Sequence, residues 1–132
     1  MSRLDNVNDI SIAASLVPAA RTTTANGTGV DLAGYNAAAV VICAGVITDG
    51  TLYTFEVQES DDNATFTAVA DADLIGTEPA LAASDDNAVR ELGYKGIKRY
   101  IRVALATVTG SPATGGVFAA FVVRGKPRKS PA

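Results

Sequence analysis

Between Leu52 and Ser60 the chain alternates strictly. Tyr53, Phe55 and Val57 are apolar, while Thr54, Glu56 and Gln58 are polar. A period of two puts the first set on one side of a pleated strand and the second on the other, so one face belongs to a core and one to water. Arg99–Thr107 repeats the pattern, with Ile101, Val103 and Leu105 set against Tyr100, Arg102 and Ala104. Asp9–Val17, with Ile10 and Ile12 on one face, predicts a third strand, ended by Pro18. Ala37–Ile47 is apolar at nearly every position, which predicts a strand buried on both sides. Thr65–Val69 returns from the Leu52 strand as a hairpin, and Val89–Leu92 and Val117–Arg124 complete the set. Helical periodicity is nowhere sustained.

Turn chemistry separates these segments. Asn26-Gly27, Asp49-Gly50, Ser60-Asp61-Asp62-Asn63, Gly93-Tyr94-Lys95-Gly96 and Gly110-Ser111-Pro112 mark reversals. Ala70–Ala88 reads as a long loop with one short helical turn. About seven or eight short antiparallel strands result, which predicts an all-β fold, a β-sandwich of jelly-roll or Ig-like form. The expected organisation is an N-terminal arm over 1–9, a sandwich domain over 10–124 and a basic tail over 125–132. The apolar share is 48%, yet it rests on Ala and Val, with four Phe, four Tyr and no Trp. Such a thin core is expected to gain stability from neighbours in an assembly.

The residue inventory argues against catalysis. There is no histidine, so the commonest general base and metal ligand are both missing. Cys43 is the single cysteine, which rules out an intrachain disulfide and a cysteine zinc cluster. It sits in an apolar run and reads as a small buried hydrophobe. No Gly-rich phosphate loop is present. The chain is therefore expected not to be an enzyme and to need no cofactor and no metal. Ser60-Asp61-Asp62-Asn63-Ala64 recurs as Ser84-Asp85-Asp86-Asn87-Ala88. A pair of calcium loops is one reading. Turn chemistry used twice is the plainer one. No apolar stretch approaches the ~20 residues of a membrane span, and no signal segment is visible, so a protein made in the cytoplasm and not inserted in a membrane is expected.

Charge divides along the chain. From Arg90 onward nine of the eleven Lys and Arg meet one acid, Glu91, a net +8, whereas residues 1–89 hold two cations and thirteen acids, a net −11. Either interleaved strands mix these charges, or the folded surface has a basic and an acidic side that docks partners. Nucleic acid is not expected as a partner, because the whole chain is net −3. The densest basic and aromatic cluster is Tyr94, Lys95, Lys98, Arg99, Tyr100 and Arg102, joined at the C-terminus by Lys126, Arg128 and Lys129. These nine residues are the candidate protein interface, since Tyr and Arg are favoured anchors. The alternative is that Tyr94 and Tyr100 plug the sandwich end while the cations snorkel.

Several stretches carry a likeness. They are Tyr53-Thr54-Phe55-Glu56-Val57-Gln58-Glu59-Ser60-Asp61-Asp62, Phe66-Thr67, Leu74-Ile75-Gly76, the run from Gly93 to Val103, and Val122-Val123-Arg124-Gly125-Lys126-Pro127-Arg128. Together they resemble small proteins encoded in the structural gene clusters of tailed phages, over about residues 35–128. The resemblance implies a virion component, a capsid decoration (cement) protein on the outside of the head. Such proteins act as trimers or other small oligomers and clamp neighbouring major capsid subunits, so the implied partners are the major capsid protein and further copies of the chain, the trimer favoured. The family has no catalytic residues to carry over. A tail or head–tail connector component is the alternative within the virion. A carbohydrate-binding β-sandwich with weak glycan binding is the alternative outside it, on a short likeness of the Ser-Asp-Asp and Phe-Thr segment to discoidin-like domains.

Overall fold

The alternating segments form the strands they predict. The computed structural model describes residues 3–129. In chain order the strands are β1 (Ile10–Arg21), β2 (Ala25–Asn26), β3 (Val30–Asp31), β4 (Tyr35–Ile47), β5 (Leu52–Ser60), β6 (Thr67–Ala68), β7 (Leu74–Ile75), β8 (Ala80–Leu81), β9 (Val89–Tyr94), β10 (Tyr100–Thr109) and β11 (Gly116–Pro127). The segment expected as one long loop, Ala70–Ala88, holds two single 3-10 turns, Asp71–Asp73 and Ala83–Asp85, and the short strands β7 and β8.

All pairings are antiparallel and make two sheets. One runs β1-β11-β4-β9-β7. In the other, β10 and β5 are central, with β2 and β3 along one side and β6 and β8 along the other. Counting β2 with β3, and β6 with β8, gives nine strand positions, five in the first sheet and four in the second. The chain crosses between the sheets at nearly every connection, which is the jelly-roll arrangement of two Greek keys rather than the Ig one.

Two expectations need correction. Pro18 does not end β1, which continues to Arg21. β1 is an edge strand, and its ladder with β11 shifts register between Ala14 and Leu16 and again between Leu16 and Ala19. A proline without a donor is tolerated at such a bulged edge. The last strand also runs on to Pro127, into the segment expected as tail. Residues 1, 2 and 130–132 lie outside the described residues.

The core lies between the sheets. From one side come Val40, Ile42, Phe118, Ala120 and Val122, and from the other Tyr53, Phe55, Val57, Ile101, Val103 and Leu105, all buried. Phe118 joins the layers. Its ring centroid lies 4.8 Å from that of Tyr53 and 5.3 Å from that of Phe55, and each such pair is worth about 0.5–1.5 kcal/mol beyond its buried area. Ser15 is the buried polar stitch. Its Oγ accepts the Val103 N–H at 2.9 Å and donates to the Thr28 carbonyl at 2.9 Å, which ties β1 to the opposite sheet.

β4 does not meet its expectation within one chain. Val40, Ile42 and Ala44 are covered, but Ala39, Val41 and Cys43 face outward and are only partly buried. Cys43 is thus half-buried on an outer face, not a core residue. Register aligns the outward residues in rows across the sheet. Ile12, Val123, Ala39, Gly93 and Ile75 form one row. Ala14, Phe121, Val41 and Glu91 form the next, followed by Ala119, Cys43 and Val89. Ile75 leans over Gly93, where a Cβ would lie 3.0 Å from its Cδ1.

Candidate functional site

The β9–β10 connection, residues 95–99, lies at one end of the sandwich beside the start of β4 and the end of β11. The same geometry brings the C-terminal cations to the cations of the loop. Between them opens a cleft of about 420 Å³, framed by Leu32, Tyr35, Asn36, Tyr94, Ile97, Lys98, Arg99 and Arg128.

Tyr94 forms its floor. The side chain is buried, its hydroxyl donates to Glu59 Oε1 at 2.8 Å, and the same oxygen accepts the Lys98 N–H at 3.2 Å. Burial, reinforced by the Glu59 carboxylate, holds the phenol proton far above the ordinary range. Gly96 crosses directly over this ring, and a Cβ there would collide with the Tyr94 hydroxyl. The Gly-Tyr-Lys-Gly turn therefore serves to pass the loop over a buried tyrosine.

The walls are charged, and part of the charge is matched from distant sequence. Arg99 grips Asp31 with two hydrogen bonds of 2.9 Å, and Lys98 Nζ lies 2.7 Å from Asp61 Oδ2. The Arg99 guanidinium, and then the Ala33 N–H, lower the Asp31 carboxyl to about 2. Asp61 in turn raises the Lys98 ammonium. Arg128 donates to Asn36 Oδ1 at 3.1 Å, and Arg124 reaches the Asp31 carbonyl and Ser11 Oγ while lying over the Tyr35 ring. Charge from the two halves of the sequence thus mixes at these pairs. Among the described residues the other ion pair joins Arg90 to Asp85 at 3.3 Å. Lys95, Lys126 and Lys129 are exposed, with no carboxylate in contact among the described residues.

Of the nine sequence candidates, Tyr94, Lys98, Arg99 and Arg128 converge on the cleft. Lys95 shares the loop, and Lys126 borders a shallow depression beside Asn6, Asp9 and Pro127. Lys129 follows at the chain's described end. Tyr100 and Arg102 do not join the cleft. They lie on the outer face of the second sheet, where Arg102 donates to Gln58 at 2.7 Å and lies 4.1 Å from the centre of the Phe66 ring. Tyr100 therefore does not plug the sandwich end, whereas Tyr94 does. Leu32, Tyr35, Asn36 and Ile97 were not among the nine, and for the first three Gly34, in the turn before β4, was the one available signal.

In the repeated Ser-Asp-Asp-Asn segments the second aspartate binds backbone, while the first pairs with a cation. Asp62 Oδ1 accepts the Ala64 and Thr65 N–H groups at 3.0 Å each, and Asp86 Oδ1 accepts the Ile47 N–H at 2.7 Å. Asn63 and Asn87 both take the left-handed conformation, at φ 59° and 60°. Among the described residues no group of three or more carboxylates and cysteines is placed to hold a metal ion.

The family model described as Bbp16 matches residues 11–122. That span takes in β1 through most of β11, with Tyr94, Lys95, Lys98 and Arg99, and stops before Arg124, Lys126, Arg128 and Lys129. Among solved structures, the crystal structure of SPBc2 prophage-derived protein YomS is similar, with a TM-score of 0.54 and 16% identity over 93% of this chain and 99% of that one. At that identity the likeness establishes the shared fold. No curated protein matches the chain in sequence. No helix among the described residues is long and apolar enough to cross a membrane.

Proposed function

The chain belongs to the Bbp16 family, and on that premise we propose that it is a non-enzymatic structural protein of a tailed phage, one that decorates the outside of the head and cements the shell. The observation that carries the reading is the basic end of the sandwich. The cleft there has a tyrosine floor and Ile97, 96% exposed, at its lip, Lys95 lies on the same loop, and Lys126 and Lys129 follow near the end of β11, all three exposed and without a carboxylate partner among the described residues. Exposed cations together with an exposed apolar side chain suit an acidic protein surface, with charge giving steering and the apolar group giving contact. The prophage origin of a protein with the same fold supports a phage setting.

In this reading the partners are the major capsid protein and other copies of the chain, and the site of action is the virion surface after synthesis in the host cytoplasm. Each copy buries modest area, and repetition over the shell supplies the strength. The carbohydrate alternative gains nothing from the cleft, because Tyr94 is buried and Arg124 covers Tyr35.

The test is addition of the full chain to purified heads that lack it. Saturable binding and a raised melting temperature of the heads are expected, with binding weakened by salt. Lys95→Glu combined with Lys126→Glu is expected to weaken it at least about ten-fold. Binding to tails instead, or to a glycan array without affinity for heads, would overturn the reading.

A further inference from the structure

Two arginines stand on the walls of the cleft, and only one of them meets a carboxylate. Arg99 gives Nε and Nη2 to Asp31, each at 2.9 Å. Arg128 gives Nε to Asn36 Oδ1 at 3.1 Å, and its two terminal nitrogens have no acceptor among the described residues. We propose that Arg128 is the receptor for a carboxylate. The carboxylate is the side chain of an Asp or Glu within an extended segment of the protein on which this end of the sandwich docks, and an apolar neighbour in that segment sits in the cleft against Leu32 and Ile97. The inference rests on the docking reading for the protein that supplies the segment, and on the cleft alone for its chemistry.

The guanidinium is held in place before any ligand arrives. The Arg128 N–H donates to the Gly34 carbonyl at 2.8 Å, which fastens the end of β11 to the turn before β4. Asn36, on β4, then fixes the side chain through Nε. Its amide oxygen is a neutral acceptor, so the positive charge is not offset. A planar guanidinium fixed this way loses little freedom on binding and offers parallel N–H groups to a carboxylate. Arg99 on Asp31 shows the same contact made within the chain.

The other polar groups of the cleft are engaged. Lys98 Nζ lies on Asp61 at 2.7 Å, and the one proton of the Tyr94 hydroxyl goes to Glu59. One guanidinium without a carboxylate suits a single carboxylate rather than a polyanion. A charge alone would need no cleft. At about 420 Å³ this one lies within the range of small-ligand sites. Leu32, Ala37 and Ala38 line it half-buried, and Ile97 stands at its lip, so an apolar group beside the carboxylate has somewhere to go.

NMR titration of the full chain with acetyl-Leu-Glu-Leu-amide tests this, followed at the Leu32 and Ile97 amides and at the Arg128 Nε–H. Saturable shifts at all three are expected. Acetyl-Leu-Gln-Leu-amide with the wild type, and the Glu peptide with Arg128→Gln, should each bind at least about ten-fold more weakly, and the two changes together should lose little more than either alone. Arg128→Gln should melt with the wild type, because the side chain is exposed, so its loss reads binding and not folding. Arg90→Gln removes a charge outside the cleft and should leave uptake unchanged. No saturable shift, or uptake indifferent to Arg128→Gln, would overturn the proposal. So would equal binding of acetyl-Leu-Gln-Leu with a free terminal carboxylate, which would make the ligand a chain end. Purified heads separate this inference from the docking reading. Arg128→Gln is expected to bind them several-fold more weakly. Heads that take wild type and variant alike would overturn the Arg128 receptor and leave decoration standing, whereas peptide uptake through Arg128 without any affinity for heads would uphold the receptor and overturn decoration.

Discussion

The two sheets share one core but turn different faces outward. Outside β5 and β10 stand Thr54, Glu56, Gln58, Arg102 and Thr107, joined across the ladder by register and by the Arg102–Gln58 hydrogen bond. Outside β4 and β11 stand Ala39, Val41, Cys43, Phe121 and Val123. Both faces hang on strands of similar length and equal inward burial. The difference lies wholly in the alternate residues. The inward set makes the core of the single chain, while the outward set is polar on one sheet and apolar on the other.

The largest expected effect strikes both faces at once. Phe118→Ala removes the ring that joins the sheets and should lower unfolding free energy by about 3–5 kcal/mol, read from denaturant midpoints. A loss near that of a surface change would mean that the sheets are held together elsewhere. Ser15→Ala comes next. It strands the Val103 N–H and the Thr28 carbonyl and should cost about 1–3 kcal/mol, felt at the β1 edge of the apolar-faced sheet, where hydrogen exchange should quicken first.

Acid should probe the opposite side of the comparison. Asp31 is drawn down to about 2 chiefly by Arg99, and Asp62 to about 2 chiefly by the Thr65 N–H, both from an ordinary 3.8. Their folded values lie below the unfolded ones, so the stability they add is present above about pH 4 and drains as pH falls toward about 2. Asp31→Asn should flatten part of that fall in the melting temperature. An unchanged slope would show that the Arg99 pair contributes nothing. The smallest effects on stability belong to the outer faces themselves. Thr54→Val and Ile12→Asp should each shift it by no more than about 0.5 kcal/mol, read from denaturant midpoints.

Much of this was legible beforehand. The period-two segments of β5 and β10 announced both the strands and their inner faces, and the turn dipeptides announced the connections. β4 was legible in pattern and misleading in meaning. Apolar residues on both alternate sets read as two covers, whereas the fold covers Val40, Ile42 and Ala44 and leaves Ala39, Val41 and Cys43 only partly buried. Pro18 misled for a related reason, because a missing donor matters only where the partner strand asks for it, and the β1 bulges remove that request. The charge division also looked stronger in sequence than in space. The jelly-roll order lays Asp31 and Asp61 beside Arg99 and Lys98, a pairing over long sequence separations that no local rule reveals. At the cleft the Lys95–Arg99 loop was visible as a cluster, whereas Leu32 and Asn36 reach it only through the crossing of β3 to β4.

Hydroxyl-radical footprinting of the protein, free and bound to purified heads, tests the docking end of the sandwich most directly. Tyr35 and Ile97 at the cleft are expected to become protected several-fold on binding, while Phe66 on the second sheet keeps its rate. Equal reactivity of Tyr35 and Ile97 in both states, or protection of Phe66 instead, would contradict the account.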